Sequence, residues 1–150
     1  MKLNIFVSFG VFVLLALSSS CEAAAPKAIV VEVSCSEIQE HKHITNDLAA
    51  GIGDTITIKL CSYLTIDYQW KYKTIGNIGR SWEEPIVREN DYEFVEQGGV
   101  NDGLEGSKEK QVWTFEVIGK GTTEIRMEYT IQQTGVETVD RTYSMIVAVK

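Results

Sequence analysis

Histidine is scarce in this 150-residue chain. His41 and His43 are the only two, and both fall in Glu40-His41-Lys42-His43. With both confined to one short polar stretch, neither a Ser-His-Asp nor a Cys-His catalytic set assembles. Lys42 between them, and only Glu37 and Glu40 as further ligands nearby, point to a solvated surface run rather than a metal site. No long segment shows a helical period, so no Gly-rich phosphate loop opens a helix. Glu83 and Glu84 follow Trp82 on a segment that reads as a loop between Gly79 and Pro85, where adjacent carboxylates read as solvated. Positive charge is also in the minority, with 14 Lys and Arg against 21 Asp and Glu and a net charge of −7. That balance disfavours nucleic acid and anionic membranes as partners, and suits either a basic partner or plain solubility. These absences argue against an enzyme and imply no cofactor.

Beyond residue 17 no apolar run is long enough to span a bilayer. The one long run, Ile5 to Leu17, follows Lys2 and precedes the small residues Ser18-Ser19-Ser20-Cys21-Glu22-Ala23-Ala24-Ala25. This is the pattern of a secretory signal peptide. Leu17 lies one position too far from Cys21 for a lipobox, which disfavours a lipid anchor. The expected organisation is a signal peptide over 1–25 and one domain over 26–150. The mature chain is expected to be a soluble monomer, secreted or held in the secretory or lysosomal pathway, or periplasmic in a bacterium. Cleavage would leave Cys35 and Cys61. Two readings stand: a disulfide, which an oxidising compartment permits and which would be worth roughly 3 kcal/mol, or two buried thiols.

What the chain has in quantity is strand pattern. Ala28 to Val33 is apolar and Val-rich. Ile56, Ile58 and Leu60 alternate, as do Tyr68, Trp70 and Tyr72. Tyr92 to Val95 is a shorter candidate. Trp113, Phe115 and Val117 share one face, Ile118-Gly119-Lys120-Gly121 turns the chain, and Ile125, Met127 and Tyr129 share the next. Tyr143 to Val149 closes the domain, while Ser36 to Ala50 reads as a polar connection with room for a helical turn. About seven short strands with turn signals between them predict an all-β, immunoglobulin-like antiparallel sandwich, with Trp70 and Trp113 in its core. The Cys-Trp-Cys pattern of antibody domains is absent, because no cysteine follows Trp70.

Leu60-Cys61-Ser62-Tyr63-Leu64-Thr65-Ile66-Asp67-Tyr68-Gln69-Trp70 resembles the first inhibitory loop of the chagasin family, inhibitors of papain-like cysteine peptidases. The family carries Leu-Pro-Ser-Asn-Pro-Thr-Thr-Gly-Phe/Tyr-x-Trp there, after a strand that begins Gly-Asp/Glu. This chain keeps Gly53-Asp54, Leu60, Ser62, Thr65, Tyr68 and Trp70 without a gap. A second likeness, Gly119-Lys120-Gly121-Thr122-Thr123-Glu124-Ile125-Arg126-Met127-Glu128-Tyr129 with the closing strand, is similar to the family's strand before its third loop. The resemblance implies that three loops at one end of a sandwich occlude a peptidase cleft without covalent chemistry. The peptidase-binding residues it implies are Leu64, Thr65, Ile66, Asp67 and Tyr68 in the first loop, Gly103 and Gly106 in the second, and Ile131, Gln132 and Gln133 in the third.

The contact residues depart from the family. Ile66 and Asp67 replace the second Thr and the Gly, the second loop lacks Gly-x-Gly-Gly, and the third lacks Arg-Pro-Trp. Two functions therefore follow from the sequence. One is a secreted, reversible inhibitor of papain-like cysteine peptidases. The other is an immunoglobulin-like extracellular binding module, a carrier or receptor for secreted hydrolases, that reuses the scaffold without inhibiting.

Overall fold

The computed structural model describes residues 25–63, 68–75, 85–96, 108–133 and 135–150. Residues 1–24 of the expected signal peptide, Leu64 to Asp67, Trp82, Gly103 and Gly106 lie outside them. The described residues form eight strands and one short helix: β1 (Ala28–Val33), α1 (Cys35–Glu40), β2 (His43–Ala50), β3 (Thr55–Tyr63), β4 (Tyr68–Ile75), β5 (Val87–Glu96), β6 (Lys108–Val117), β7 (Gly121–Gln133) and β8 (Val136–Val149). They make two four-stranded sheets, in the orders β1-β3-β6-β5 and β2-β8-β7-β4.

Period-two alternation decides which face of each strand is buried. Ile56, Ile58 and Leu60 of β3 and Trp113, Phe115 and Val117 of β6 turn inward from one sheet. Ile125, Met127 and Tyr129 of β7 and Tyr143, Met145 and Val147 of β8 turn inward from the other. Tyr72 of β4 meets Phe115 of β6 edge-on across the interior, with ring centroids 5.1 Å apart. Trp70 and Trp113 are buried, at 2% and 3% exposure, as the alternation predicts.

The immunoglobulin-like sandwich is as expected, with eight strands rather than about seven. Two features differ from the sequence reading. First, β1 pairs parallel with β3 and β2 parallel with β8, so the sheets are mixed rather than purely antiparallel. Second, Ser36 to Ala50 is no open connection: α1 occupies its start and β2 the rest. A parallel neighbour cannot be reached by a hairpin, and α1 supplies the crossover that carries the chain from one sheet to the other. Ser34 caps it in a full capping box: its side chain accepts from the Glu37 N–H and its own N–H donates to the Glu37 carboxylate. At the other end Arg141 of β8 donates to the carbonyls of Ile38, Gln39 and His41. The helix has no basic residue in its last turn, so this guanidinium supplies the positive charge that a helix C-terminus favours.

Cys35, the first residue of α1, is disulfide-bonded to Cys61 of β3, with Cα atoms 5.0 Å apart. At the far end of the sandwich Asp54 accepts from the backbone N–H groups of Gly51 and Lys27, both at 2.8 Å, and fastens the turn between β2 and β3 to the start of β1. These two bonds, Gly51's the larger, hold its carboxyl below the usual range. The turn between β6 and β7 is at the same end. There the N–H groups of Ile118 and Gly119 both donate to the Ile86 carbonyl. Gly121 has φ +128°, and a Cβ would lie 2.9 Å from Ile86 Cδ1, so only glycine fits without a shift.

Candidate functional site

Strand direction brings together the strand ends that flank the three sequence-predicted loops. Tyr63 at the end of β3 pairs with Lys108 at the start of β6, and Glu96 at the end of β5 pairs with Glu109. In the other sheet Tyr68 at the start of β4 pairs with Ile131 near the end of β7, and Gln133 pairs with Val136 across the hairpin into β8. Trp70 at the start of β4 is hydrogen-bonded to Cys61 near the end of β3 and to Gln111 near the start of β6, which brings the two sets of strand ends to the same pole. The chain therefore leaves one end of the sandwich at residues 63, 96 and 133. It re-enters there at 68, 108 and 136.

The stem of the first connection is fixed from several sides. The Trp70 indole N–H donates to the Cys61 carbonyl at 2.9 Å. The Trp70 backbone N–H donates to Gln111 Oε1 at 3.2 Å, and Gln111 Nε2 donates to Ser62 Oγ at 3.4 Å. Thr130 Oγ1 donates to the Gln69 carbonyl at 3.2 Å. Tyr129 packs against both Tyr68 and Trp70, with ring centroids at 5.5 Å and 4.9 Å. Gln111, Ser62 and Thr130 are buried polar groups, and each takes part in these bonds. The Cys35–Cys61 disulfide holds the same stretch of β3 to α1.

Among the predicted contact residues, Tyr68 and Ile131 stand directly opposite each other, although they come from the first and third loop regions. Both are half-buried, and Tyr68 rests on Tyr129, so it belongs to the frame of the first connection. Gln132 is exposed. Ile131, Gln132 and Gln133 are expected in the third loop, and the structure differs. β7 runs to Gln133 and β8 starts at Val136, so Ile131, Gln132 and Gln133 are strand residues. Gly135, at φ +81°, supplies the left-handed residue that so tight a turn requires.

This hairpin runs past β2, whose pairing with β8 begins at Thr142; among the described residues β4 pairs with β7 up to Ile131. Register shifts between Tyr129 and Thr130, where Asp140 is left over opposite β7. The hairpin exposes Val136 at 60% and Val139 at 50%. Lys71 of β4 and Glu137 of β8 form an ion pair on its flank, and the hydrogen bond from Lys71 lowers the Glu137 carboxyl. Phe94 and Val95 near the end of β5 are exposed as well.

The sequence reading missed Gln111, Val136 and Val139. Gln111 carried a signal: it occupies the inward register of Trp113, Phe115 and Val117, where a polar side chain needs a buried partner. His41 and His43 are both exposed, and His43 Nδ1 is hydrogen-bonded to Thr142 Oγ1 at 2.8 Å. Among the described residues no three His, Cys, Asp or Glu side chains gather as a metal site.

Comparison with known proteins gives the following. The model of the chagasin family peptidase inhibitor I42 matches residues 49–147. No curated protein matches the chain. Among solved structures, the cysteine protease inhibitor EhICP2 from Entamoeba histolytica aligns with a TM-score of 0.60 at 15% identity, over 85% of this chain and 100% of that one. PbICP-C, solved in complex with falcipain-2, aligns with a TM-score of 0.54 at 13% identity, over 81% of this chain and 99% of that one. At these identities the structural likeness is one of fold.

Proposed function

This chain belongs to the chagasin family of peptidase inhibitors, and from that premise we propose that it is a secreted, reversible inhibitor of papain-like cysteine peptidases that acts by occlusion. It is an inhibitor by family and not an enzyme. A papain-like partner is supported by the shared fold of PbICP-C, which was solved bound to falcipain-2. The observation that carries the mechanism is the convergence of strand ends 63, 68, 96, 108, 133 and 136 at one pole of the sandwich.

In this reading residues 64–67 enter the cleft and residues 97–107 flank one wall. The β7–β8 hairpin flanks the other and presents Val136 and Val139 where an aromatic and an arginine are missing from the sequence. A disulfide, a buried hydrogen-bond network and stacked aromatics hold the first stem, so little ordering entropy is lost on binding. No nucleophile or electrophile is needed, because exclusion of substrate suffices. The domain over 26–150 acts as a monomer after removal of the signal peptide.

The test is titration of active papain-like peptidase with residues 26–150, followed by intact-mass analysis of the recovered complex. The expected result is inhibition with both chains unmodified. A covalent adduct, or a cut within residues 62–70 that tracks inhibition, would refute occlusion. Tight binding without loss of peptidase activity would favour the non-inhibitory binding module.

A further inference from the structure

Gln111 is 2% exposed and lies on β6, opposite Leu60 of β3 and Phe94 of β5. Its inward neighbours along the strand, Trp113, Phe115 and Val117, are all apolar. An amide here must find partners for both its oxygen and its nitrogen, or leave a buried polar atom unsatisfied. It finds them in two different strands. Oε1 accepts the Trp70 N–H of β4 at 3.2 Å, and Nε2 reaches Ser62 Oγ of β3 at 3.4 Å.

Among the described residues β7 is the one ladder partner of β4, and the Trp70 N–H is directed out of its own sheet and toward the other. One side chain thus spans the gap between the sheets at the point where the chain crosses it. Ser62 lies just before residues 64–67 and Trp70 just after them. A covalent connection this short passes any change in the separation of its ends into its own backbone.

We propose that Gln111 is a positioning residue for inhibition: it fixes the separation of the two stems of the 64–67 connection and so sets the affinity for the peptidase, without touching it. The part concerning affinity rests on the inhibitor reading above. Gln111→Met keeps the volume and removes both polar atoms. The Trp70 amide proton is expected to exchange at least about tenfold faster in this variant, while amides of the β7–β8 ladder keep their rates. Its dissociation constant for papain is expected to rise at least about tenfold.

Asp54→Ala, at the opposite end, is the comparison for stability alone and is expected to lower the unfolding midpoint with papain affinity unchanged. If Gln111→Met fails to fold, Ser62→Ala removes only the β3 half of the bridge and is expected to weaken binding about threefold or more. Unchanged affinity for Gln111→Met, or for Ser62→Ala in its place, would reduce Gln111 to a satisfied core residue. Affinity lost equally by Asp54→Ala would overturn the proposal in the same way. Should the unaltered protein not inhibit papain-like peptidases, the inhibitor reading fails by itself. Trp70 exchange in Gln111→Met against the unaltered chain then decides whether the bridge fixes the stems.

Discussion

Trp70 and Cys61 belong to different sheets, yet the indole N–H of the first donates to the backbone carbonyl of the second at 2.9 Å. The tryptophan thus works twice, as a core side chain and as a tie between the strands on either side of residues 64–67. Trp70→Ala is expected to cost about 3–5 kcal/mol, as is Trp113→Ala, whose side chain is equally buried. Trp70→Phe separates the two roles: it keeps most of the packing and strands the Cys61 carbonyl, for a cost of about 1–3 kcal/mol. Denaturant midpoints for the three variants check this, and a Trp70→Phe value equal to that of Trp70→Ala would show that the hydrogen bond dominates.

The Cys35–Cys61 bond closes a loop with a sequence separation of 26. Reduction, or Cys35→Ser with Cys61→Ser, is expected to lower stability by roughly 3 kcal/mol in the chain-entropy picture. Equilibrium unfolding with and without reductant measures it. Coincident curves would mean that α1 stays docked without the bond.

Acid should loosen the pole opposite the proposed binding end. The backbone N–H groups of Gly51 and Lys27 hold the Asp54 carboxyl below its usual value. A carboxyl depressed in the folded state contributes stability that is present above the unfolded value of about 3.9 and is lost as pH falls through the folded one. Asp54→Asn is therefore expected to flatten the decline of the thermal midpoint below about pH 4, starting from a lower midpoint at neutral pH. Parallel acid limbs for variant and parent would place the titrating group elsewhere, with the lowered Glu37 of the capping box the next to change.

Arg141 ties β8 to the C-terminus of α1 through three carbonyls. Arg141→Ala is expected to cost about 1–3 kcal/mol, and Arg141→Lys to recover only part of it, because an ammonium lacks the planar fork. Amide exchange within residues 35–41 is the local readout, and unchanged exchange in Arg141→Ala would show that the capping box alone holds the helix.

Much of this architecture is legible in the sequence because a strand with one wet face writes its burial as alternation. Trp113-Phe115-Val117 and Ile125-Met127-Tyr129 are read in the right register for that reason. β2 is not. Its half-buried positions are Ile44, Asn46, Leu48 and Ala50, and Asn46 breaks the apolar series because it donates to the Tyr143 hydroxyl at 3.3 Å. Strand direction leaves no mark on side-chain pattern either, so the parallel pairs go unread. At the candidate site, Tyr68 and Ile131 are named from family likeness, and that they stand opposite each other appears only in the strand register. Gln111 needs its two partners in space before its polar character means anything, and Val136 and Val139 look like ordinary strand residues until the hairpin is seen to run past β2.

The parallel pairing of β2 with β8 also fixes when the molecule can be finished. His43 meets Thr142 across 99 residues of chain, and β8 is the one ladder partner of β2 among the described residues. Residues 43–50 have no ladder to join until residues 142–149 have been synthesised. Completion is therefore late and slow, as expected of topologies dominated by distant contacts. A chain cut short before β8 would leave open edges on both β2 and β7, and such species are expected to accumulate as aggregates rather than as partly active protein.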